Sequence, residues 1–350
     1  FLADGRPCPL DVRAVLARQE ARAAAMGLEP RFALEYEFGI FHADPAAMRA
    51  GRFSDLAPWG AGLANYDVTR SGDYQDLVAA FVERLASLDI PVVSFVSEYG
   101  HGMYEFALAP MPPLAAADAA VRAKLHLKEL CAERGLVATF MARFQPPGRE
   151  SACGAHHHQS LWRDGTNLFA AGPERLSDLA RPYLAGLLAR MAESHLAFRP
   201  TVNSYRRLDR GAWSPEDVSW GFESRTAAVR AVTTPGDAAA RLEHRVPGAD
   251  VNPYLTIALM LAAGLDGSEE KLEPPAATPG PVAPGEREGL PRSLAASIEA
   301  FRGSDFVARA LGPALRDHYV ASREHEQRAF DAWLAGHVTE FEFRRYFTGT

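Results

Sequence analysis

Acidic and imidazole side chains two residues apart recur in strand-like segments of this sequence. Glu35 and Glu37 lie in the otherwise apolar run 32–41, and His156 and His158 have the same spacing in a later segment. Residues two apart on a β-strand point to the same side, so each pair lines one face of a sheet. Two carboxylates repel each other on such a face unless a cation lies between them. The spacing therefore indicates a metal site on a sheet.

Two further segments carry charged side chains in related patterns. Glu98 and Glu105 flank a glycine-rich turn sequence, and Glu243 lies between Arg241 and Arg245. Each pattern also has an ordinary explanation, namely a solvated strand face, hydrogen-bonded core histidines, a surface hairpin or a ladder of ion pairs. Their coincidence in one chain favours a site, because a face with this many charges is costly to bury unless cations and phosphates occupy it.

The residue types restrict both the metal and the chemistry. Carboxylates with a single imidazole per site are typical of Mg²⁺ or Mn²⁺, whereas zinc and iron sites hold more cysteine and histidine. Arginines beside paired hard cations suit phosphoryl transfer, because the metals bridge phosphate oxygens and the guanidinium groups neutralise charge on the transferred group. We therefore expect divalent metal and a polyanion at this face.

Composition excludes several kinds of partner. The 350 residues carry a net charge of −7 without a long basic run, which argues against nucleic acid or an acidic membrane surface. The longest apolar stretches, such as 257–265, are too short to span a bilayer. Cys8, Cys131 and Cys153 form no CxxC pair, and their odd number argues against a disulfide framework. A cytoplasmic location is the default expectation.

Helical and strand-like segments are interspersed along the chain, and the strands look half-buried. This arrangement predicts an α+β domain with an antiparallel sheet flanked by helices. Helices are predicted over about 12–26, 73–88, 115–135, 174–198, 253–265 and within 292–347, and strands over 32–41, 91–98, 104–109, 137–142, 156–162, 217–223, 226–233 and 241–246.

The same motifs, in the same order, resemble those of the glutamine synthetases of the bacterial type. The resemblance runs from about residue 28 to 347 and implies a curved antiparallel sheet flanked by helices. It divides the chain into a linker and helix over 1–27 and a catalytic domain over 28–350. The family's N-terminal β-grasp domain is expected to be missing from this chain, which begins with Phe1. The matching motifs lie at 34–38, 98–105, 138–142, 154–162, 203–208, 224–230, 241–245 and 252–254.

The resemblance implies ATP and two or more Mg²⁺ or Mn²⁺ ions, with protein ligands in two sets of three. The ligands are Glu37, Glu98 and Glu105 for the ion on the substrate side, and Glu35, His156 and Glu243 for the ion that bridges the ATP phosphates.

It also implies which residues bind the nucleotide, the transferred phosphate and glutamate. Arg225 and Arg230 have opposite strand parity, so both can face the site only if the chain bends between them. The implied residues are His158, Ser160 and Arg241 at the nucleotide, Arg225 and Arg230 at the phosphate, and Arg207, Arg245 and Gly154 at glutamate.

The implied reaction is the ATP-dependent joining of a carboxylate to an amine. Transfer of the γ-phosphoryl group makes γ-glutamyl phosphate, and the amine then displaces phosphate, so the protein mainly positions groups and neutralises charge. Trp213 stands where ammonia-using members carry a glutamate, and an indole suits an organic amine better than ammonium. We therefore expect a polyamine or alkylamine, with Glu216 or Asp209 as a substitute base. Met103 stands where the family usually has a glutamine, so the sequence does not decide whether the carboxylate substrate is glutamate.

Alternatives stay open from the sequence. They are ordinary glutamine synthesis from ammonium, a non-catalytic scaffold, and a phosphotransferase acting on a guanidino substrate. A scaffold should have lost ligands, and the guanidino reaction leaves the His-x-His motif unexplained. The resemblance further implies a homo-oligomer, a dodecamer of two hexameric rings. No tyrosine lies between Tyr254 and Tyr319, so we expect no control by adenylylation.

Overall fold

The structure is a computed structural model that describes residues 2–6, 8–60, 72–145, 152–208, 214–234, 236–279 and 288–348. Its centre is a single open sheet. The strands are β1 (Glu29–His42), β2 (Val92–Ser97), β3 (Met103–Leu108), β4 (Leu136–Thr139), β5 (Ala155–Arg163), β6 (Thr166–Asn167), β7 (Trp220–Phe222), β8 (Val229–Val232) and β9 (Arg241–His244).

The strand order is β2-β3-β1-β5-β9-β8-β7, with β4 paired to β1 and β6 paired to β5. The α+β fold with flanking helices is confirmed. Each ladder between the described strands is antiparallel except that of β7 with β8, so the sheet is mixed at one edge. Hydrophobic alternation indicates which face of a strand is buried but carries no information about the direction of its neighbour, so this parallel pair was not predicted.

Helices pack around the sheet, and side chains cap several of their N-termini. Asp11 accepts hydrogen bonds from Arg13 N and Ala14 N, and Asn252 caps the long buried helix in the same way. The helices are α1 (Val12–Ala25), α2 (Pro45–Arg49), α3 (Gln75–Ala86), α4 (Pro113–Ala132), α5 (Ala180–Ala189), α6 (Met191–Phe198), α7 (Pro253–Glu270), α8 (Leu294–Arg302), α9 (Asp305–Leu311), α10 (Pro313–Ala335) and α11 (Glu340–Tyr346).

The single helix predicted over 174–198 is wrong. The chain is helical from Ala180 and breaks at Arg190, where φ is −103° and ψ is 5°, so that α5 and α6 are separate. The two helices share an apolar pattern, which is why periodicity alone joined them. None of the described helices is long and apolar enough to cross a membrane.

The central strand β1 separates the core from the charged face. Phe32, Leu34, Tyr36, Phe38 and Ile40 are fully buried on the side of the helices. The rings of Tyr36 and Phe38 pack with aromatic residues of neighbouring elements at centroid distances of 5.4–6.2 Å. A register slip of one residue would bury the glutamates of β1 and expose these rings, so burial holds the register of the strand.

Candidate active site

Cross-strand pairing brings acidic, basic and imidazole residues together on the open face of the sheet. Five strands, namely β1, β3, β5, β8 and β9, supply them, and the partners lie directly opposite each other in the ladders. The pairs are Glu35 with His156, Glu37 with Glu105, His158 with Glu243, and Glu243 with Arg230.

Glu35 is at the centre of this cluster. Its Oε2 lies 3.3 Å from Nδ1 of His156, and its Oε1 lies 2.9 Å from Nε2 of His158. The carboxylate of Glu243 approaches His156 Nδ1 to 3.6 Å from the other side. Two trios, Glu35 with Glu105 and His156, and Glu35 with His158 and Glu243, each place possible ligand atoms within 4.8 Å of one another.

The electrostatics of the cluster are uneven. Burial opposes ionisation of Glu35, but His158 and His156 outweigh it and hold the pKa of Glu35 well below its usual range. Burial likewise opposes ionisation of Glu243, and His158, Arg245 and His156 together lower its pKa to about 2.

Glu105 has the opposite behaviour. Burial, followed by repulsion from Glu35, Glu37, Glu98 and Glu243, raises the pKa of Glu105 to about 10. Four carboxylates are thus close enough to disfavour a fifth negative charge. A divalent cation relieves this repulsion, and oxygen-rich ligand sets of this kind fit Mg²⁺ or Mn²⁺. The donor set therefore fits the metal expected from the sequence.

His158 is better suited to donate a hydrogen bond than to ligate a metal. Nε of Arg241 donates to Nδ1 of His158 at 2.9 Å. Nδ1 is therefore the acceptor nitrogen, and the neutral ring carries its proton on Nε2. A protonated Nε2 cannot coordinate a cation but can donate to a carboxylate or a phosphate oxygen. His156, which has no such constraint on Nδ1, is the better candidate ligand.

Gly154 lies where the cluster meets the predicted glutamate-binding residues. Its N–H donates to Oε2 of Glu37 at 2.5 Å. A Cβ at this position would lie 2.9 Å from Nε2 of His156 and 3.0 Å from Nη2 of Arg207. Only glycine therefore fits between these side chains without displacing them.

The ligand grouping differs from the one implied by the resemblance. The structure places Glu105 with Glu35 and His156, whereas it had been grouped with Glu37 and Glu98. Glu98 accepts a hydrogen bond from Tyr99 N at 3.2 Å and joins neither trio. The assignment of particular ligands to particular ions stays a prediction.

Besides Arg241, three of the predicted arginines reach the cluster or its rim. Nη1 of Arg230 donates to Oε2 of Glu243 at 3.1 Å, and Nη1 of Arg245 donates to Oε1 of the same carboxylate. Arg207 is buried beside Gly154, and its Nη1 donates to the carbonyl of Val246 at 2.8 Å. The guanidinium groups are thus held in place by protein atoms.

Arg225 is not brought to this cluster. Its side chain is exposed and lines a separate cavity with Glu174 and Thr278. The chain turns after β7, and Arg225 lies in the connection to β8 rather than on a strand. Glu223, which bonds Arg230 at 2.8 Å, lines the same cavity, and the shared role of Arg225 and Arg230 at one phosphate stays a prediction.

A cavity of about 370 Å³ opens beside the cluster and includes Glu35, His158, Ser160 and Arg241 in its lining. Two of its other lining residues, Arg31 and Trp162, form a stacked pair with the guanidinium carbon 3.9 Å from the ring centre. Sequence reasoning missed both. Arg31 has the strand parity of Glu35, so its direction could have been inferred, but its stacking partner depends on the register of β1 with β5.

The proposed amine-binding residues are only partly described. Trp213 and Asp209 lie outside the described residues. Glu216 is described, and its Oε2 forms an ion pair with Nη1 of Arg292 at 2.8 Å, so it is already paired. Met103 is buried on β3.

The family model for the glutamine synthetase catalytic domain matches residues 9–346. The chain belongs to the glutamine synthetase family. It is 33% identical to type-1 glutamine synthetase 2 of Dictyostelium discoideum, covering 98% of this chain and 66% of that protein. It is equally 33% identical to γ-glutamylethanolamide synthetase of Streptomyces coelicolor, covering 98% of this chain and 72% of the relative.

The fold likeness to solved structures is close. A GmaS–ADP complex superposes with a TM-score of 0.84 at 28% identity, covering 98% of this chain and 79% of that one. The family to which this chain belongs consists of ligases that form carbon–nitrogen bonds. The chain spans 66% of the length of the Dictyostelium relative.

Proposed function

We propose that this protein joins glutamate to an organic amine in an ATP-dependent reaction that passes through γ-glutamyl phosphate. The observation that carries the proposal is the convergence of Glu35, Glu105, His156 and Glu243 beside Arg230, next to a cavity of nucleotide-binding size. A carboxylate needs a better leaving group before an amine can replace its oxygen, and these groups suit the phosphoryl transfer that supplies one.

We assign each group of residues a separate role in this reaction according to its place in the site. The carboxylates and His156 would hold two Mg²⁺ or Mn²⁺ ions, which would supply positive charge to stabilise the phosphoryl group in transfer. Arg230 neutralises the phosphoryl group in transfer, and His158 donates from Nε2 toward the nucleotide. Arg207 and Arg245 bind the carboxylates of glutamate.

The two chemical steps balance in atoms and charge. An oxygen of the glutamate γ-carboxylate attacks the γ-phosphorus of ATP, and ADP leaves. The amine nitrogen then attacks the acyl carbon, the bond from that carbon to the phosphate oxygen breaks, and the proton lost by the amine leaves with inorganic phosphate as HPO₄²⁻. The protein contributes by holding the reactants close and by compensating charge, without a covalent intermediate of its own.

The choice of an organic amine rests on the sequence and on the relatives. Trp213 replaces the acid expected in ammonia-using members, and Glu216, a possible substitute, is paired with Arg292. One relative is named as a γ-glutamylethanolamide synthetase, although a glutamine synthetase is equally similar. An alkylamine or a polyamine therefore fits better than ammonium.

The test measures phosphate release by the full-length protein with ATP, Mg²⁺ and glutamate. Ammonium, methylamine, ethanolamine, putrescine and spermidine are compared as amines. Release that requires an organic amine supports the proposal, and release with ammonium alone replaces it with ordinary glutamine synthesis. No release with any of these amines would favour the scaffold alternative.

A matched pair of variants tests the metal cluster. We expect Glu243→Gln to lower turnover by at least about 100-fold while the circular dichroism spectrum stays unchanged, since removing one charge weakens metal binding and phosphoryl positioning together. Glu273→Gln is the control, because Glu273 is an exposed acid that forms an ion pair with the surface residue Arg181 at 2.9 Å. Turnover that survives Glu243→Gln would contradict the assignment.

A further inference from the structure

Glu223 connects Arg230 to the end of the sheet. Its Oε2 accepts a hydrogen bond from Nη2 of Arg230 at 2.8 Å. Its Oε1 accepts from the backbone N–H groups of Thr233 and Thr234 at 3.0 and 3.2 Å and from Oγ1 of Thr234 at 3.0 Å. Both carboxylate oxygens are thus engaged, and one side chain ties the guanidinium group to the segment that follows β8.

The backbone of Glu223 has an uncommon conformation. Its φ is +51°, in the left-handed region that disfavours side chains with a Cβ. The hydrogen bond from Glu223 N to the carbonyl of Ala231, at 3.0 Å, holds this turn directly after β7. Such conformations persist where surrounding contacts over-determine them, and they concentrate at functional positions.

Arg230 is held between two carboxylates. Nη2 bonds Glu223, and Nη1 bonds Glu243 at 3.1 Å. Two anchors fix the plane of the guanidinium group, whereas one would let it rotate. Its Nε is buried and has no hydrogen-bond partner among the described residues, which leaves a donor available for an anionic oxygen.

The two anchors are not equivalent. Glu243 also accepts from Arg245 and lies within reach of His156, so a metal ion would compete with Arg230 for its oxygens. Glu223 is in neither ligand trio. It is therefore the carboxylate that stays with Arg230 when the cluster is occupied.

We propose that Glu223 is a positioning residue that aims Arg230 at the γ-phosphoryl group of ATP, an inference that rests on the proposed function. This role predicts that loss of the Glu223 charge impairs binding and transfer of the γ-phosphoryl group. Binding of ADP, which lacks that group, should be spared. A role limited to holding the strand end would not distinguish the two nucleotides.

The decisive comparison is between Glu223→Gln and Thr234→Val in the full-length protein. The first keeps the shape of the side chain but removes its charge, and the second removes a hydrogen bond to the same carboxylate without touching Arg230. We expect Glu223→Gln to lower kcat about 10- to 100-fold, the range for residues that orient a functional group. Thr234→Val should change kcat less than about twofold, because Arg230 keeps both anchors. Equal effects of the two variants would overturn the proposal.

A double variant tests whether Glu223 affects kcat through Arg230. If Glu223 acts through Arg230, then Glu223→Gln combined with Arg230→Gln should be no worse than Arg230→Gln alone. Additive losses would show an independent role and overturn the proposal.

Nucleotide binding separates this inference from the proposed reaction. The dissociation constants of Mg²⁺–ATP and Mg²⁺–ADP are measured for the wild-type protein and for Glu223→Gln. We expect the variant to lose most of the preference for ATP, with ADP binding changed less than about twofold, because only ATP carries the group that Arg230 contacts. This readout needs no turnover, so it holds even if no amine supports phosphate release. An unchanged ratio would overturn the role of Glu223 alone.

Discussion

At the scale of single residues, the raised pKa of Glu105 shows the repulsion that a bound cation would relieve on this sheet face. Burial and four neighbouring carboxylates raise its pKa to about 10, while Glu35 and Glu243 stay ionised beside two histidines. The metal-free cluster therefore holds a proton that a divalent ion can replace. Metal binding should release that proton at neutral pH.

The pH dependence of stability follows from the sign of this shift. A carboxyl whose folded-state pKa is raised from 4.5 to about 10 contributes stability that is fully present below pH 4.5 and is lost as the pH rises toward 10. In EDTA, Glu105→Gln should therefore gain stability over the wild-type protein as the pH increases. We expect a Tm higher by about 2–6 °C at pH 9, corresponding to about 1–3 kcal/mol.

Differential scanning fluorimetry from pH 5 to 9, with and without Mg²⁺, measures this effect. The wild-type protein should gain Tm on addition of Mg²⁺, and Glu105→Gln should gain less, because it offers one ligand fewer. A Tm difference between the two proteins that does not vary with pH would contradict the electrostatic account.

At the scale of elements, the start of β5 holds several side chains of the site in place through Gly154. The N–H of Gly154 fixes Glu37 while its missing Cβ leaves room for His156 and Arg207. Just beyond it, His157 points to the other side of the sheet, where its Nε2 lies 2.8 Å from Oγ1 of Thr256 on α7. The strand is therefore anchored on this side by His157, while His156 and His158 face Glu35 on the open side of the sheet.

We expect Gly154→Ala to lower kcat/KM for glutamate by about 100-fold, because displacement of a positioning group by about 1 Å has effects of that size. The Cβ would displace His156 or Arg207, both of which the structure places within 3.0 Å of it. Gly289→Ala is the control, since a Cβ there meets no atom within 4 Å. Initial rates at varied glutamate measure the effect, and activity close to that of the control would contradict it.

At the scale of the whole molecule, the segment 333–347, here called the C-terminal arm, exposes aromatic side chains. Trp333, Phe341 and Phe347 are 57%, 68% and 79% exposed. The helix α11 is held by a capping box between Thr339 and Glu342 rather than by packing, since none of its residues is buried. The family resemblance implies a homo-oligomer, and we propose that a second copy of the chain covers these exposed aromatic side chains.

The oligomer prediction is tested by light scattering after size-exclusion chromatography. The double substitution of Phe341 and Phe347 by Asp should lower the mass of the assembly, because charged groups cannot be buried in an apolar contact. Leu125→Asp, at a 52% exposed position on α4, is the control. An unchanged mass for the double variant would mean that the arm has another role.

Much of the fold was predictable because the signals are local. The strand predicted over 32–41 is Glu29–His42, and the helix predicted over 12–26 is Val12–Ala25. Alternation and capping act between residues close in the chain, so they can be recognised without the fold. The helix predicted over 174–198 failed because its break at Arg190 has no glycine or proline to mark it.

The site was predictable only in part for the same reason. Strand parity indicated correctly that Glu35 and Glu37 share a face, as do His156 and His158, since side-chain direction repeats every two residues. It could not indicate that Glu35 lies between both histidines, that Arg225 lies in the connection between β7 and β8, or that Glu223 holds Arg230. Each of these depends on which strand lies beside which.

By itself, then, the sequence determined which chemical groups are available and to which side of its own strand each one points, because both are properties of a few neighbouring residues. Only the tertiary structure decided the partners: the pairing of β1 with β5 places Glu35 opposite His156, and the pairing of β5 with β9 places His158 opposite Glu243. The register of those strands depends on burial of apolar side chains across the whole sheet, and no local pattern encodes it.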